Sequence, residues 1–535
     1  MNKINIAGAG LAGLSAAISI AEAGFSCNLI SLQPSERAQS VLAEGGINAA
    51  LNTMGEGDTP EEHFQDTMKG GAFLADPNAV EGLAYTAPEI IEKLLAIGTP
   101  FQMDGKDVVL RNFGGQKKKR TAYAKSSTGK VIMTALIDEG RKYESSGRIT
   151  RYPHHQVMEI LSEDRICRGL KILDTYTDEV QYLSGPVIIA CGGLNGFFPE
   201  FTTGTVANTG DLAAELFSGG VEFANLEFIQ YHPTTVAIPG KRMLISEAAR
   251  GEGGRLFIER SGEKWYFMEE LYPELGNLMP RDVISREMAR VLARDDCKGP
   301  VCLDMTGISK KTWEKKLSDL REEIREYLSI DPAKEPVYVC PGIHFFMGGI
   351  RVDEGHKTSL ENLFAAGECA CQYHGANRLG GNSMLGAICG GRIAAQSAMK
   401  LEHENYEEKT SYHISAEEKQ EFYVSPKSAA ALKGILADSL GIIRTGNDLN
   451  KGIERIDNLL KDNNLTAMEK KRILLGKAMI LSALAREESR GAHFREDYPE
   501  TDEAYRKTAV SRMGDGIEIY FRDIPERRES HEIQN

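Results

Sequence analysis

Apolar residues in the first thirty positions fall into the rhythm of strand, turn, helix and second strand. Residues 4–7 (Ile-Asn-Ile-Ala) read as a short buried strand, residues 8–13 as a turn, residues 14–23 as an alanine-rich helix closed by Gly24, and residues 27–31 as the next strand. Residues 36–60 are rich in small side chains and predict a loop, and residues 61–99 predict helix. Short apolar runs alternate over 148–192 and end in the strand Val187-Ile188-Ile189-Ala190. Over 222–340 the chain carries more charge and more prolines, including a charged helical stretch over 310–327, which predicts an inserted domain. Residues 341–400 return to the glycine-rich style of the start. The expected plan is an α/β Rossmann-like first domain over 1–221 and 341–400, an α+β cap over 222–340, and a C-terminal helical domain and polar tail over 401–535.

The length of 535 residues agrees with several cores rather than one. A formal net charge of -14 argues against nucleic acid as a partner, because phosphate backbones demand a basic surface. It leaves room for an anionic substrate held by a local cluster of arginines. No apolar run approaches the ~18 residues of a membrane span, and no secretion signal is expected. The nine cysteines form no paired framework and no CxxC repeat, so neither zinc nor an iron–sulfur cluster is expected on this chain, and a reducing cytoplasmic compartment fits.

Gly8-Ala9-Gly10-Leu11-Ala12-Gly13 is a GxGxxG between a strand and a helix. Gly8, Gly10 and Gly13 permit the tight turn and let backbone approach a pyrophosphate at the helix N-terminus. The acidic residue that commonly ends the second strand of such a unit is replaced by Ser31, whose hydroxyl can still meet a ribose; Glu36 is a weaker substitute. The glycine pairs Gly45-Gly46 and Gly192-Gly193 would let backbone run close to a flat ring system.

Five further segments carry chemistry: residues 230–234 (Gln-Tyr-His-Pro-Thr), 246–253 (Ser-Glu-Ala-Ala-Arg-Gly-Glu-Gly), 280–282 (Pro-Arg-Asp), 344–349 (His-Phe-Phe-Met-Gly-Gly) and 374–383 (His-Gly-Ala-Asn-Arg-Leu-Gly-Gly-Asn-Ser). With Ala43-Glu44-Gly45-Gly46, and with residues 488–499 near the end, they resemble the succinate dehydrogenase, fumarate reductase and L-aspartate oxidase flavoprotein family. The resemblance implies FAD as cofactor, with Gly193, Asp211, Glu368, Asn382 and Ser383 joining the glycines above around it. It also implies a C4-dicarboxylate substrate gripped by Arg378, His232, His344 and Ser246, with Phe113 in the lid segment. Arg281 resembles the family's acid, giving a proton to one carbon while the flavin gives a hydride to the other, and Glu247 and Arg250 resemble its proton relay. An arginine is an unusual acid, because a guanidinium ordinarily has a pKa above about 12. The i, i+3 spacing of Glu247 and Arg250 would set both on one helix face.

Two departures from the family shift the expectation. Members of membrane complexes carry a histidine that bonds covalently to FAD; here the matching position is Gln39, which implies noncovalent FAD and points away from succinate oxidation, toward fumarate reduction or an oxidase. Aspartate oxidases resemble one another in a glutamate that meets the substrate ammonium; here Phe113 stands in that place, as in the reductases and dehydrogenases. The expected activity is reduction of fumarate to succinate or the reverse, with aspartate oxidation, reduction of a related unsaturated acid, and a catalytically silent flavin-binding subunit as alternatives. Electrons would come from an iron–sulfur partner subunit or a soluble donor, with no direct membrane insertion and a place at the inner membrane face only through a partner. The basic run Lys117-Lys118-Lys119-Arg120 reads either as an anion-steering patch or as an exposed turn.

Overall fold

The computed structural model describes residues 3–125, 127–401 and 410–528. The last residues of the expected polar tail, 529–535, lie outside the described residues. Strands β1 (Ile4–Ala7), β2 (Cys27–Ser31), β3 (Ile149–Pro153) and β4 (Val187–Ile189) join Leu363–Ala365 in a parallel sheet of order 363–365, β4, β1, β2, β3. Strands β1, β2 and β4 are buried along almost their whole length, as a sheet covered by helices requires, while the edge strand β3 is only partly buried. Helix α1 (Leu11–Glu22) buries ten of its residues, and its alanines let it lie close to a glycine-rich helix, Asn382–Met399. A Cβ on Gly391 would stand 2.2 Å from the carbonyl oxygen of Ala12, which measures how tight that crossing is.

The region inserted between these parts has its own apolar core, running from Val236 through Ile284, Met288 and Trp313 to Val339. Helix α2 (Arg281–Leu292) belongs to it and buries Ile284, Met288 and Val291 on that side. Strand β5 (Ile229–Ile238) leads into the insertion and pairs antiparallel with β6 (Cys340–Phe346), which leads out. Their register slips so that Gln230 faces Phe345 and Tyr231 faces Ile343, leaving His344 as the extra residue of a bulge.

The C-terminal region departs from the all-helical expectation. Helix α3 (Ala467–Ala485) opens with a capping box between Thr466 and Glu469. The chain then forms a hairpin of β7 (Lys507–Met513) and β8 (Ile517–Asp523), and β7 adds to Phe223–Ala224 to extend a sheet of the first domain. The alternation in Ile517-Glu518-Ile519 and the Gly-Asp-Gly turn at 514–516 favour strands; the neighbouring charges obscured that pattern. The basic run at 117–120 is exposed at Lys117 and Lys119 but not at its end. Arg120 is fully buried, 2.9 Å from both Asp58 and Asp66, and Lys119 pairs with Glu56 at 2.9 Å.

A buried charged network ties the C-terminal region to the rest. The Nε of Arg486 donates to Glu227 at 2.6 Å, its Nη1 to Glu488 at 3.1 Å, and its other donors reach the carbonyls of Tyr505 and Lys507. Arg486, Glu227 and Glu488 are all fully buried. Arg486→Met would leave the buried Glu227 without its paired cation, while Glu488 keeps Arg490 at 2.8 Å, and we expect a loss of about 3–5 kcal/mol, read as a drop in the thermal or denaturant midpoint. A midpoint within a degree of wild type would show that the network carries no such weight.

Candidate active site

A cavity of about 540 Å³ runs from the GxGxxG turn to the seam between the first domain and the insertion. The three glycines of the motif do different work. Gly8 has φ +124°, and a Cβ there would sit 2.1 Å from the carbonyl oxygen of Ala190; a Cβ on Gly13 would sit 1.8 Å from that of Gly8. Those two are demanded by the protein's own packing. Gly10 is different, since the nearest atom to its Cβ would be Ser40 Oγ at 3.2 Å and the residue lines the cavity. It is the N-cap of α1, whose first turn carries no acidic residue and whose Leu11 N–H donates to Ser40 Oγ at 3.2 Å, leaving the following N–H groups without a side-chain cap. Amide N–H groups and the positive end of the helix therefore face the cavity, the environment a pyrophosphate needs.

Ser31, Gln39, Gly45, Gly46, Asp211, Glu368 and Ser383 also line the cavity. Gln39 Oε1 accepts the N–H of Thr205 at 2.5 Å, and Asp211 accepts from Arg472 Nη1 at 2.5 Å. Glu368 accepts the N–H of Phe346 at 3.1 Å; burial raises its carboxyl to about 7, against the pull of that N–H and of Arg378, so near neutrality it can donate or accept toward a polyol chain. Gly193 and Asn382 stand one layer back. A Cβ on Gly193 would press on Glu368 at 2.6 Å, and Gly192, at φ +76°, lines the wall instead. Asn382 is fully buried and bonds Asn48, Thr67 and His63 behind the wall. Glu36 pairs with Arg141 on the exposed surface. The chain thus fits FAD through its glycine turn, the helix N-terminus behind it and a long cavity.

At the far end the cavity is lined by His232, Ser246, Glu247, Arg281, His344, Arg378 and Phe113. Arg281 heads α2 and donates from Nε to Glu247 Oε2 at 2.9 Å, with Nη2 2.8 Å from the same oxygen. Glu247 is the residue that precedes the short helix Ala248–Gly251 rather than a member of it, and Arg250 Nη2 lies 4.0 Å from its Oε2. Burial alone would raise the Glu247 carboxyl, yet Arg281, Arg250 and the N–H of Gly114, 2.9 Å away, hold it at about 2. Burial and the neighbouring cations push both His232 and His344 well below the ordinary imidazole range, so both are neutral. His344 Nδ1 is 2.8 Å from Thr203 Oγ1, and His232 and His344 meet edge to face at 5.3 Å. Arg378 is lowered to about 9 by burial and by Arg281. Its Nη2 donates to Gln230 Oε1 at 2.9 Å, while its Nε has no hydrogen-bond partner among the described residues.

Three guanidinium groups therefore surround one ionised carboxylate, with Glu368 offsetting only part of the excess. Unsatisfied buried donors and surplus positive charge are what an incoming dianion would neutralise. Arg250 stands behind the wall, its Nη1 on the carbonyl of Asn277 at 2.7 Å, so it acts through Glu247. Sequence reasoning missed Gln230, whose Oε1 also accepts from Arg281 Nη1 at 3.2 Å, although it stands two residues before His232. Thr203, Arg472, residues 155–157 and residues 422–424 also line the cavity and carry no local motif.

Comparison with known proteins supports FAD binding by this chain. A family model described as an FAD binding domain matches residues 4–384, and one described as the fumarate reductase flavoprotein C-terminal region matches residues 429–529. The succinate dehydrogenase flavoprotein subunit of Bacillus subtilis is 36% identical over 96% of this chain and 94% of its own length. An L-aspartate oxidase of Pyrococcus furiosus is 32% identical over 96% of this chain and 99% of its own length. Among solved structures, a mutant E. coli quinol fumarate reductase chain superposes with a TM-score of 0.87 at 29% identity, covering 98% of this chain and 96% of that one.

The raised carboxyl of Glu368 has a stability consequence of defined sign. A carboxyl whose folded pKa lies above its unfolded value binds its proton more tightly when folded, so its contribution is full below about 4.5 and lost as pH rises through about 7. Glu368→Gln removes that dependence. The variant should gain on the wild type between pH 4.5 and 7, with a slope of at most about 1.4 kcal/mol per pH unit, measured on FAD-free protein. A stability difference that does not change with pH would refute the assignment.

Proposed function

The chain belongs to the FAD-dependent oxidoreductases of the succinate dehydrogenase and fumarate reductase flavoprotein family, and we propose that it reduces fumarate to succinate with noncovalently held FAD. The observation that carries the reading is the surplus of buried guanidinium charge around Glu247 at the closed end of the cavity. A C4 dicarboxylate brings two negative charges to it. Arg378 takes one carboxylate through its free Nε edge. His232, His344 and Ser246 take the other, as neutral donors that add no charge. FAD, when bound, supplies hydride chemistry. Arg281 gives its proton to the substrate carbon that does not receive the hydride, and Glu247, held ionised beside it, returns a proton to the guanidinium from the Arg250 side. The insertion acts as a lid whose contact with the Phe113 segment, through Glu247 and Gly114, excludes water.

Phe113 is supporting evidence against amino-acid oxidation, because its ring packs on Gly45 and Gly380 and offers no charge to an ammonium. Gln39 cannot form the flavin bond of a histidine, and its amide oxygen is engaged by Thr205. No helix among the described residues is long and apolar enough to cross a membrane, and no cluster among them could hold a metal ion. Reducing equivalents in this reading come from an iron–sulfur partner or a soluble donor.

Purified yellow protein should oxidise reduced viologen anaerobically on addition of fumarate and give no peroxide aerobically from L-aspartate. Peroxide from aspartate would overturn the reading in favour of an oxidase. Arg281→Ala should retain its flavin spectrum and lose about a thousandfold in kcat; undiminished turnover would remove Arg281 from the role of acid. Acid precipitation should leave the yellow colour in the supernatant, whereas colour in the pellet would mean a covalent link.

A further inference from the structure

Helix α2 places Arg281 at its first residue, so whatever seats the helix sets where that guanidinium points. One side of α2 is held by the core of the insertion through Ile284, Met288 and Val291. Asp282, Arg286 and Arg290, spaced by four, form another side that faces away from that core. Arg286 and Arg290 lay their guanidinium groups over the ring of Phe494, at 4.9 and 5.3 Å. Phe494 comes from the C-terminal region, far away in sequence, and is only 8% exposed.

The turn that carries Phe494 is stiff. Arg490 and His493 exchange backbone hydrogen bonds at 2.8 and 3.0 Å, and the carbonyl of Phe494 accepts the N–H of Arg444 at 3.1 Å. The same turn props the loop that carries Arg378. Ala492 N–H donates to the carbonyl of Ala376 at 3.0 Å, and Gly491, at φ +53°, comes so close that a Cβ would stand 2.6 Å from that oxygen. Asn377 then donates to Asp282 at 2.8 Å, joining the loop to the first turn of α2. Both substrate-facing arginines end on one acceptor, Gln230 Oε1.

We propose that Phe494 is a positioning residue for Arg281: it is the aromatic seat on which α2 rests, built into the turn that also fixes the Arg378 loop, so that the separation of the two guanidinium groups is set by the C-terminal region. The proposal rests on the reading of Arg281 as the proton donor. Long arginine stems also cover apolar surface without consequence, so the aromatic face itself has to be tested.

The test uses the full-length FAD-loaded protein in three variants: Phe494→Ala, Phe494→Leu and Phe494→Tyr. Two readouts are taken, fumarate reduction by reduced viologen and hydrogen–deuterium exchange over residues 281–292. Phe494→Ala should lower kcat about tenfold with KM within about twofold, because the carboxylate-binding groups stay in place while the acid is misaligned. Exchange over 281–292 should accelerate in the same variant, with unchanged flavin content. Phe494→Tyr should restore both and Phe494→Leu neither. Wild-type kcat and wild-type exchange in Phe494→Ala would overturn the proposal, as would full rescue by leucine. If the wild type proves inactive on fumarate, or Arg281→Ala stays active, the functional reading fails and exchange alone decides the seat: acceleration confined to 281–292 supports it and unchanged exchange sinks it. Should Phe494→Ala not fold, the double variant Arg286→Gln, Arg290→Gln probes the same contact from the other side, with the same expected exchange.

Discussion

Burying several guanidinium groups around a single carboxylate carries a heavy desolvation cost, and much of the surrounding structure serves to make it tolerable. An isolated buried charge costs far more than one contact returns, so each must be fixed in geometry and supplied with partners. Glu247 does this for Arg281 and Arg250, and the backbone of Gly114 does it for Glu247. Gln230 places one amide oxygen between Arg281 and Arg378. The incomplete satisfaction that remains at Arg378 Nε, a residue of the cavity wall, is what a bound anion would complete in the proposed reading.

That preparation draws on three regions of the chain at once. Arg281, Ser246 and Glu247 lie in the insertion, Arg378 lies in the returning part of the first domain, and His232 and His344 sit on the paired strands that join the two. The bulge at His344 is the local device that frees one imidazole from the ladder. The C-terminal region braces the whole through the buried Arg486–Glu227–Glu488 network and through its hairpin. A second consequence is electrostatic: imidazoles in this surrounding stay neutral, which lets them donate hydrogen bonds without adding to the repulsion.

The cofactor end obeys a simpler constraint. Close approach of backbone to backbone dictates glycine at Gly8 and Gly13, whereas at Gly10, on the cavity wall, a Cβ would meet only the Ser40 hydroxyl at 3.2 Å. These three positions look alike in sequence and differ in physical cause. Gly192 and Gly193 show the same ambiguity, because adjacent glycines point in different directions and only one reaches the wall.

The first βαβ unit, its glycine turn and the separate character of the insertion were legible from the chain alone, because periodicity and turn chemistry act over a few residues; the segments around His232, Arg281, His344 and Arg378 were singled out by their resemblance to a known family. The burial of Arg120 between Asp58 and Asp66, the strand pairing of residues 507–523 and the cavity-lining role of Thr203, Arg472 and residues 422–424 were not. Each of those depends on partners tens to hundreds of residues away, and a charge reads the same in sequence whether water or a buried carboxylate will meet it. Sequence by itself determined which chemical groups were present and in what order. Tertiary structure decided which of them share a low-dielectric space, and so which stay charged, which stay neutral and which face the substrate, since those outcomes depend on distance and burial that no local pattern encodes.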